Sequence, residues 1–99
     1  MNIAKKLEDK KLTISIDGRL DTSTAPELDE ELKASLGGIE ELIMDFTGME
    51  YISSAGLRVL LSAQKVMNAQ GEMIVTGANE TVMEIFDITG FSDILTIRQ

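Results

Sequence analysis

The stretch YISSAGLRVLL, residues 51 to 61, sets two hydroxyls, Ser53 and Ser54, beside the small residues Ala55 and Gly56, just ahead of an apolar pattern with helical spacing. A serine in that place has two kinds of chemistry open to it. Its oxygen can cap free N–H groups at the helix start, or it can carry a phosphoryl group whose charge the helix dipole favours. Two carboxylates stand at comparable points, Asp21 after DGRL and Asp45 after LIM, each closing an apolar stretch. Aspartates there also satisfy backbone donors in a turn. Gly56 suits close packing of the helix start, and small neighbours around a hydroxyl let another surface come near.

Other chemistry is closed off. The 99 residues contain no Cys and no His, which removes a disulfide framework, zinc sites of the usual kind, and Ser-His-Asp or Cys-His catalysis. No GxSxG elbow surrounds either serine. Seventeen acidic residues against nine basic ones give a formal charge of −8 at pH 7, which repels phosphate backbones, and no basic cluster offsets it. Glu27, Glu30, Glu31, Glu40 and Glu41 lack metal-ligand spacing and read as a solvated face. The expectation is no metal, no cofactor, no direct nucleic acid and no membrane insertion. No apolar run reaches the roughly 18 residues of a membrane span, and MNIAKKLEDKK lacks the apolar core of a secretory signal, so a cytoplasmic location is expected.

The positioning elements follow from periodicity. In KLTISIDGRL, Leu12, Ile14 and Ile16 alternate with polar residues, the pattern of a strand with one buried face, and EDKK turns back to a partner strand over residues 2 to 7. TAPE predicts a helix start with Thr24 as N-cap, Glu27 completing a capping box and Pro26 in the first turn. Leu28, Leu32 and Leu36 share its apolar face, and Gly37-Gly38 ends it. LIMDF reads as a central strand covered on both sides. Leu57, Leu60, Leu61 and Met67 predict a second helix ending at Gly71. EMIVT is a short buried strand, Val82, Ile85 and Phe86 mark a third helix over residues 79 or 80 to 89, and DILTI is the last strand. The expected fold is α/β, a single domain over residues 1–99 with a mixed, mostly parallel sheet of four to five strands, an N-terminal hairpin and helices packed on it.

GRLDTSTAPEL followed by LIMDFTGMEYISSAGLRVLL resembles the sulphate transporter and anti-sigma factor antagonist (STAS) domain, in particular the small stand-alone anti-sigma factor antagonists of bacteria. The resemblance spans the chain, with both motifs in order and at the family's separation. It implies a non-enzymatic, phosphorylation-controlled switch that sequesters an anti-sigma factor with serine kinase activity when unmodified and releases it when phosphorylated. The family's phosphoacceptor, two residues before the glycine, falls on Ser54, with Ser53 a minor alternative. A serine phosphatase acting on phospho-Ser54 is the implied reversing partner. The implied partner-binding surface comprises Asp21, Thr22, Ser23, Asp45, Ser53, Ser54, Ala55, Gly56 and Leu57. This sequence has Ser53 where many members carry Asp, and Ala55 where many carry Ser or Thr.

Two further roles compete with the switch: a STAS subunit regulating a transporter or larger signalling assembly without phosphorylation, and a small-ligand or nucleotide-binding module at the strand ends. No glycine-rich phosphate loop supports the latter. A response-regulator reading, with Asp45 as phosphoacceptor, lacks an acidic pair at the first strand's end and a lysine in IVTGAN.

Overall fold

Alternation decides the middle of the sheet. In β2 (Lys11–Leu20) the side chains of Leu12, Ile14 and Ile16 are buried, while Thr13 and Ser15 between them are half-buried. The computed structural model describes residues 1–98; Gln99, the end of the expected 1–99 domain, lies outside the described residues. Strand β1 (Asn2–Glu8) runs antiparallel to β2 through a turn in which Asp9 takes a positive φ of 55°. On the other side β3 (Glu41–Asp45), then β5 (Glu72–Thr76), then β6 (Thr96–Arg98) add in parallel.

One strand more than expected is present. β4 (Met49–Ile52) lies parallel to the last residues of β2, Gly18 to Leu20, beyond the point where β3 ends, with a register shift between Gly18 and Arg19. Its four residues are too short to show a strand period. Strand β2 is therefore long enough to hold β3 along its first half and β4 along its second.

The connecting helices are α1 (Ala25–Ser35), α2 (Ser54–Gln70), α3 (Glu80–Thr89) and the single turn α4 (Phe91–Ile94). Strands β2, β3, β5 and β6 are laid down in one direction across the sheet, so right-handed crossovers carry their helices to the same face. One apolar core results, joining Ile14, Met44 and Val75 of the sheet to Leu28, Leu32, Leu60, Met67, Val82 and Phe86 of the helices. LIMDF is thus covered mainly on one side, not both. Leu42 and Met44 are fully buried, whereas Ile43 and Asp45 on the opposite face are half-buried. DILTI also divides: Gly90, at φ 82°, reverses the chain after α3, the one-turn helix α4 takes the apolar Phe91 and Ile94, and only Thr96–Arg98 pair as strand β6. Among the described residues no helix is long and apolar enough to cross a membrane.

Candidate functional site

Two chain segments meet at the far end of β2. Leu20 closes β2 and leads into the turn Asp21-Thr22-Ser23 before α1; its register partner Ile52 closes β4 and leads into Ser53 and α2. The Ser53 N–H donates to the Leu20 carbonyl at 2.9 Å, which ties the two exits together.

The adjacent serines divide the available roles. Ser53 is the N-cap, in extended backbone (φ −98°, ψ 176°), its Oγ accepting from the Gly56 N–H at 3.4 Å and its carbonyl accepting from the Leu57 N–H at 2.9 Å. Ser54 is the first residue of α2 and is exposed. Its hydroxyl holds none of the side-chain hydrogen bonds of the described residues. Because its neighbour does the capping, the Ser54 oxygen is left facing solvent.

Gly56 is small for an interior reason. A Cβ there would sit 2.8 Å from Leu20 Cγ and from Ile52 Cγ1, so only glycine lets α2 start this close to the two strand ends. Leu57 beside it is also buried. Both residues, assigned to the partner surface by resemblance, face the core. Thr22, Ser23 and Ser54 are exposed, and Asp21, Ser53 and Ala55 are half-buried.

Capping of α1 differs from expectation as well. Thr24 has α-helical backbone (φ −101°, ψ −21°) and makes no side-chain cap bond. Its hydroxyl donates instead to the Arg19 carbonyl at 2.8 Å and accepts from the Asp21 N–H at 2.8 Å. Asp21 takes over the turn: its Oδ1 accepts from the Ser23 N–H at 3.0 Å, the Ser23 hydroxyl at 2.8 Å and the Thr24 N–H at 3.2 Å, and its carbonyl accepts from the Ala25 N–H at 2.8 Å. These donors, the Ser23 hydroxyl foremost, hold its carboxyl below the usual aspartate range.

Asp45 does not reach this rim. It registers with Ser15, five positions before Leu20 on β2, which at about 3.3 Å per residue is roughly 17 Å from the exit at Ser53. Its Oδ1 accepts from the Thr47 hydroxyl at 2.7 Å and N–H at 3.0 Å, and the Ser15 hydroxyl donates to Oδ2 at 3.4 Å. Those bonds, led by the Thr47 hydroxyl, lower its pKa. The turn is locked into neighbouring strands by Phe46 N–H to Thr76 O at 2.8 Å and by the Asn79 side chain donating to Met49 O at 2.9 Å.

Sequence reasoning missed three residues at the rim. Arg19 and Tyr51 pair across β2 and β4, the guanidinium 4.5 Å from the ring centroid. Arg58, exposed on α2, lines an open cleft of about 300 Å³ with Thr22, Ala25, Pro26, Ala55 and Asp29. Its helical spacing of four from Ser54 was the available signal.

Comparison with known proteins gives this rim a family. The STAS domain family model matches residues 2–99. A Bordetella bronchiseptica protein described as a candidate anti-sigma factor antagonist, BtrV, is 35% identical over 91 residues, covering 90% of this chain and 78% of its own. The anti-sigma-B factor antagonist of Staphylococcus aureus is 27% identical over 101 residues, covering 100% and 94%. The anti-sigma factor antagonist SpoIIAA, solved unphosphorylated and, from Bacillus, phosphorylated, superposes with TM-scores of 0.78 and 0.76. At 16% identity, over 99% of this chain and 88% and 92% of those chains, that likeness shows a shared fold. The chain belongs to the STAS domain family, and its homologues over nearly the full length are anti-sigma factor antagonists.

Proposed function

We propose that residues 1–99 act as one STAS domain, a non-enzymatic cytoplasmic anti-sigma factor antagonist whose binding is switched by phosphorylation of Ser54. The observation that carries this reading is the division of labour between the serines: Ser53 caps α2, and Ser54, at the position of the family's phosphoacceptor, is exposed and uncommitted. The partner is an anti-sigma factor that is also a serine kinase. In the modification step the Ser54 Oγ–P bond forms as the bond from the γ-phosphorus of ATP to ADP breaks, and the hydroxyl proton passes to a base on the kinase. A phosphatase reverses the change by hydrolysis.

The unmodified protein offers Thr22, Ser23, Ser54 and Ala55 as a surface of small side chains. Phosphorylation adds about −1.5 to −2 charges and three acceptor oxygens where the partner fitted a bare hydroxyl, so repulsion and desolvation oppose binding. The fold tolerates the group because first-turn N–H groups and the positive end of the α2 dipole face it. Incubation with the kinase and ATP, followed by intact-mass measurement, checks the assignment. Wild type and Ser53→Ala should each gain one phosphoryl group and Ser54→Ala none; a phosphorylated Ser54→Ala protein rejects Ser54 as the site.

A further inference from the structure

Arg58 is the only arginine without a carboxylate partner among the described residues. Arg19 lies 3.9 Å from Asp21 and over the Tyr51 ring, and Arg98 is 3.7 Å from Glu72. Asp29, which lines the same cleft as Arg58, is already paired with Lys33 at 2.8 Å. In a chain of net charge −8, an arginine left free is the exception.

Its place on the helix is what gives it a use. Arg58 follows Ser54 by four residues, so the two side chains rise from the same face of α2, one turn apart, with Cβ atoms about 5–6 Å from each other. Both residues are exposed, and between them on that side stands only the small, half-buried Ala55. The cleft beside them is lined by Thr22, Ala55 and Arg58 and is open to solvent, which leaves the guanidinium room to swing toward the helix start. A negatively charged group N-terminal to a cation at this spacing is the favourable orientation on a helix. Guanidinium also matches phosphate oxygens two at a time, which ammonium does not.

Building on the Ser54 reading, we infer that Arg58 is the intramolecular partner of phospho-Ser54: it is free to face the antagonist's partner in the unmodified state and is drawn onto its own helix by the phosphate. The switch then changes two charges with one event. Unmodified, the Ser54–Arg58 face presents one positive charge; phosphorylated, it presents about −0.5 to −1, because the new dianion both outweighs and occupies the arginine. Arg58 is in this sense a positioning residue, holding the phosphate down against the first turn of α2.

The test places phosphoserine biosynthetically at position 54, so that it does not depend on any kinase, and follows the phosphate by ³¹P NMR through its second ionisation in wild-type, Arg58→Gln and Arg58→Lys backgrounds. The helix dipole, Asp21 and Asp29 act equally in all three, which leaves the residue at position 58 as the variable. The ionisation in the wild-type background should lie lower than in Arg58→Gln by about 0.3 pH units, with Arg58→Lys between them and the difference shrinking in high salt. Circular dichroism of each protein confirms the helix. Superimposable titrations of the wild-type and Arg58→Gln phosphoproteins would overturn the pairing. Failure of the switch itself would show elsewhere, as unchanged partner affinity on phosphorylation.

Discussion

Two turns in this molecule are built alike and end up in different trades. Asp21 and Asp45 each close a stretch of strand, and each carboxylate accepts the N–H and the hydroxyl of the residue two positions on, Ser23 in one case and Thr47 in the other. Both carboxyls are held below the usual range by those donors. Yet the Asp21 turn stands at the rim with the exposed Thr22 and Ser23, tied through Leu20 to Ser53, while the Asp45 turn is hydrogen-bonded into the start of β4 and the end of β5. Local chemistry is the same in both. What separates them is register: β3 stops at Ser15 of β2, and β4 carries the chain to Leu20.

The largest expected difference between the regions lies in their glycines. Gly56→Ala at the rim drives a Cβ to within 2.8 Å of Leu20 and Ile52 side-chain carbons in a full core, and should cost about 1–3 kcal/mol in denaturant unfolding. Gly48→Ala in the other turn meets chiefly the exposed Asp17 carboxylate, which can swing away, so its cost should be clearly smaller. Equal costs would mean the rim is not packed as described.

The aspartates come next. Asp45→Asn should lose about 1 kcal/mol at pH 7 while keeping its partner affinity, and Asp21→Asn should weaken partner binding. The folded-state pKa of Asp45 lies below the ordinary 3.8, so its contribution is complete above about pH 4 and disappears as the pH falls through that lowered value. The stability gap between wild type and Asp45→Asn should therefore narrow as the pH falls below the ordinary aspartate range, as thermal melts at decreasing pH can follow. Loss of partner binding in Asp45→Asn at pH 7 would put that turn back into the interface.

Smaller effects separate the serines. Ser53→Ala removes the α2 cap and should cost about 1 kcal/mol. Ser54→Ala, which removes an uncommitted exposed hydroxyl, should stay within about 0.5 kcal/mol of wild type. A reversed order in chemical denaturation would assign the cap to Ser54.

Much of this is legible in the amino-acid sequence. The alternation of Leu12, Ile14 and Ile16, the helical spacing of Leu57 and Leu60, and the glycines at 37, 71 and 90 all describe local periods and stops, and the corresponding elements are present. Spacing alone does not tell two adjacent serines before a helix apart, and the resemblance singles out Ser54; only backbone geometry separates the cap, Ser53, from the free hydroxyl. Thr24 and Glu27 matched a capping box, but Thr24 is already in helical backbone and Asp21 does the work instead. The position of Asp45 depends on how far along β2 its strand pairs, a long-range register that no local pattern carries. The resemblance assigns Gly56 and Leu57 to the partner surface along with the exposed Ser54, although each step along a helix turns a side chain by about 100° and both are buried.

The central claim is that one phosphate on an otherwise unchanged rim abolishes binding. Calorimetric titration of the anti-sigma factor kinase with unmodified protein, and with protein carrying phosphoserine at position 54, tests it most directly when far-UV circular dichroism is recorded on both. Affinity should fall on the order of 100-fold or more with helix content unchanged, as expected when a charge is buried unpaired against a fitted partner. Equal affinity of the two forms would contradict the account.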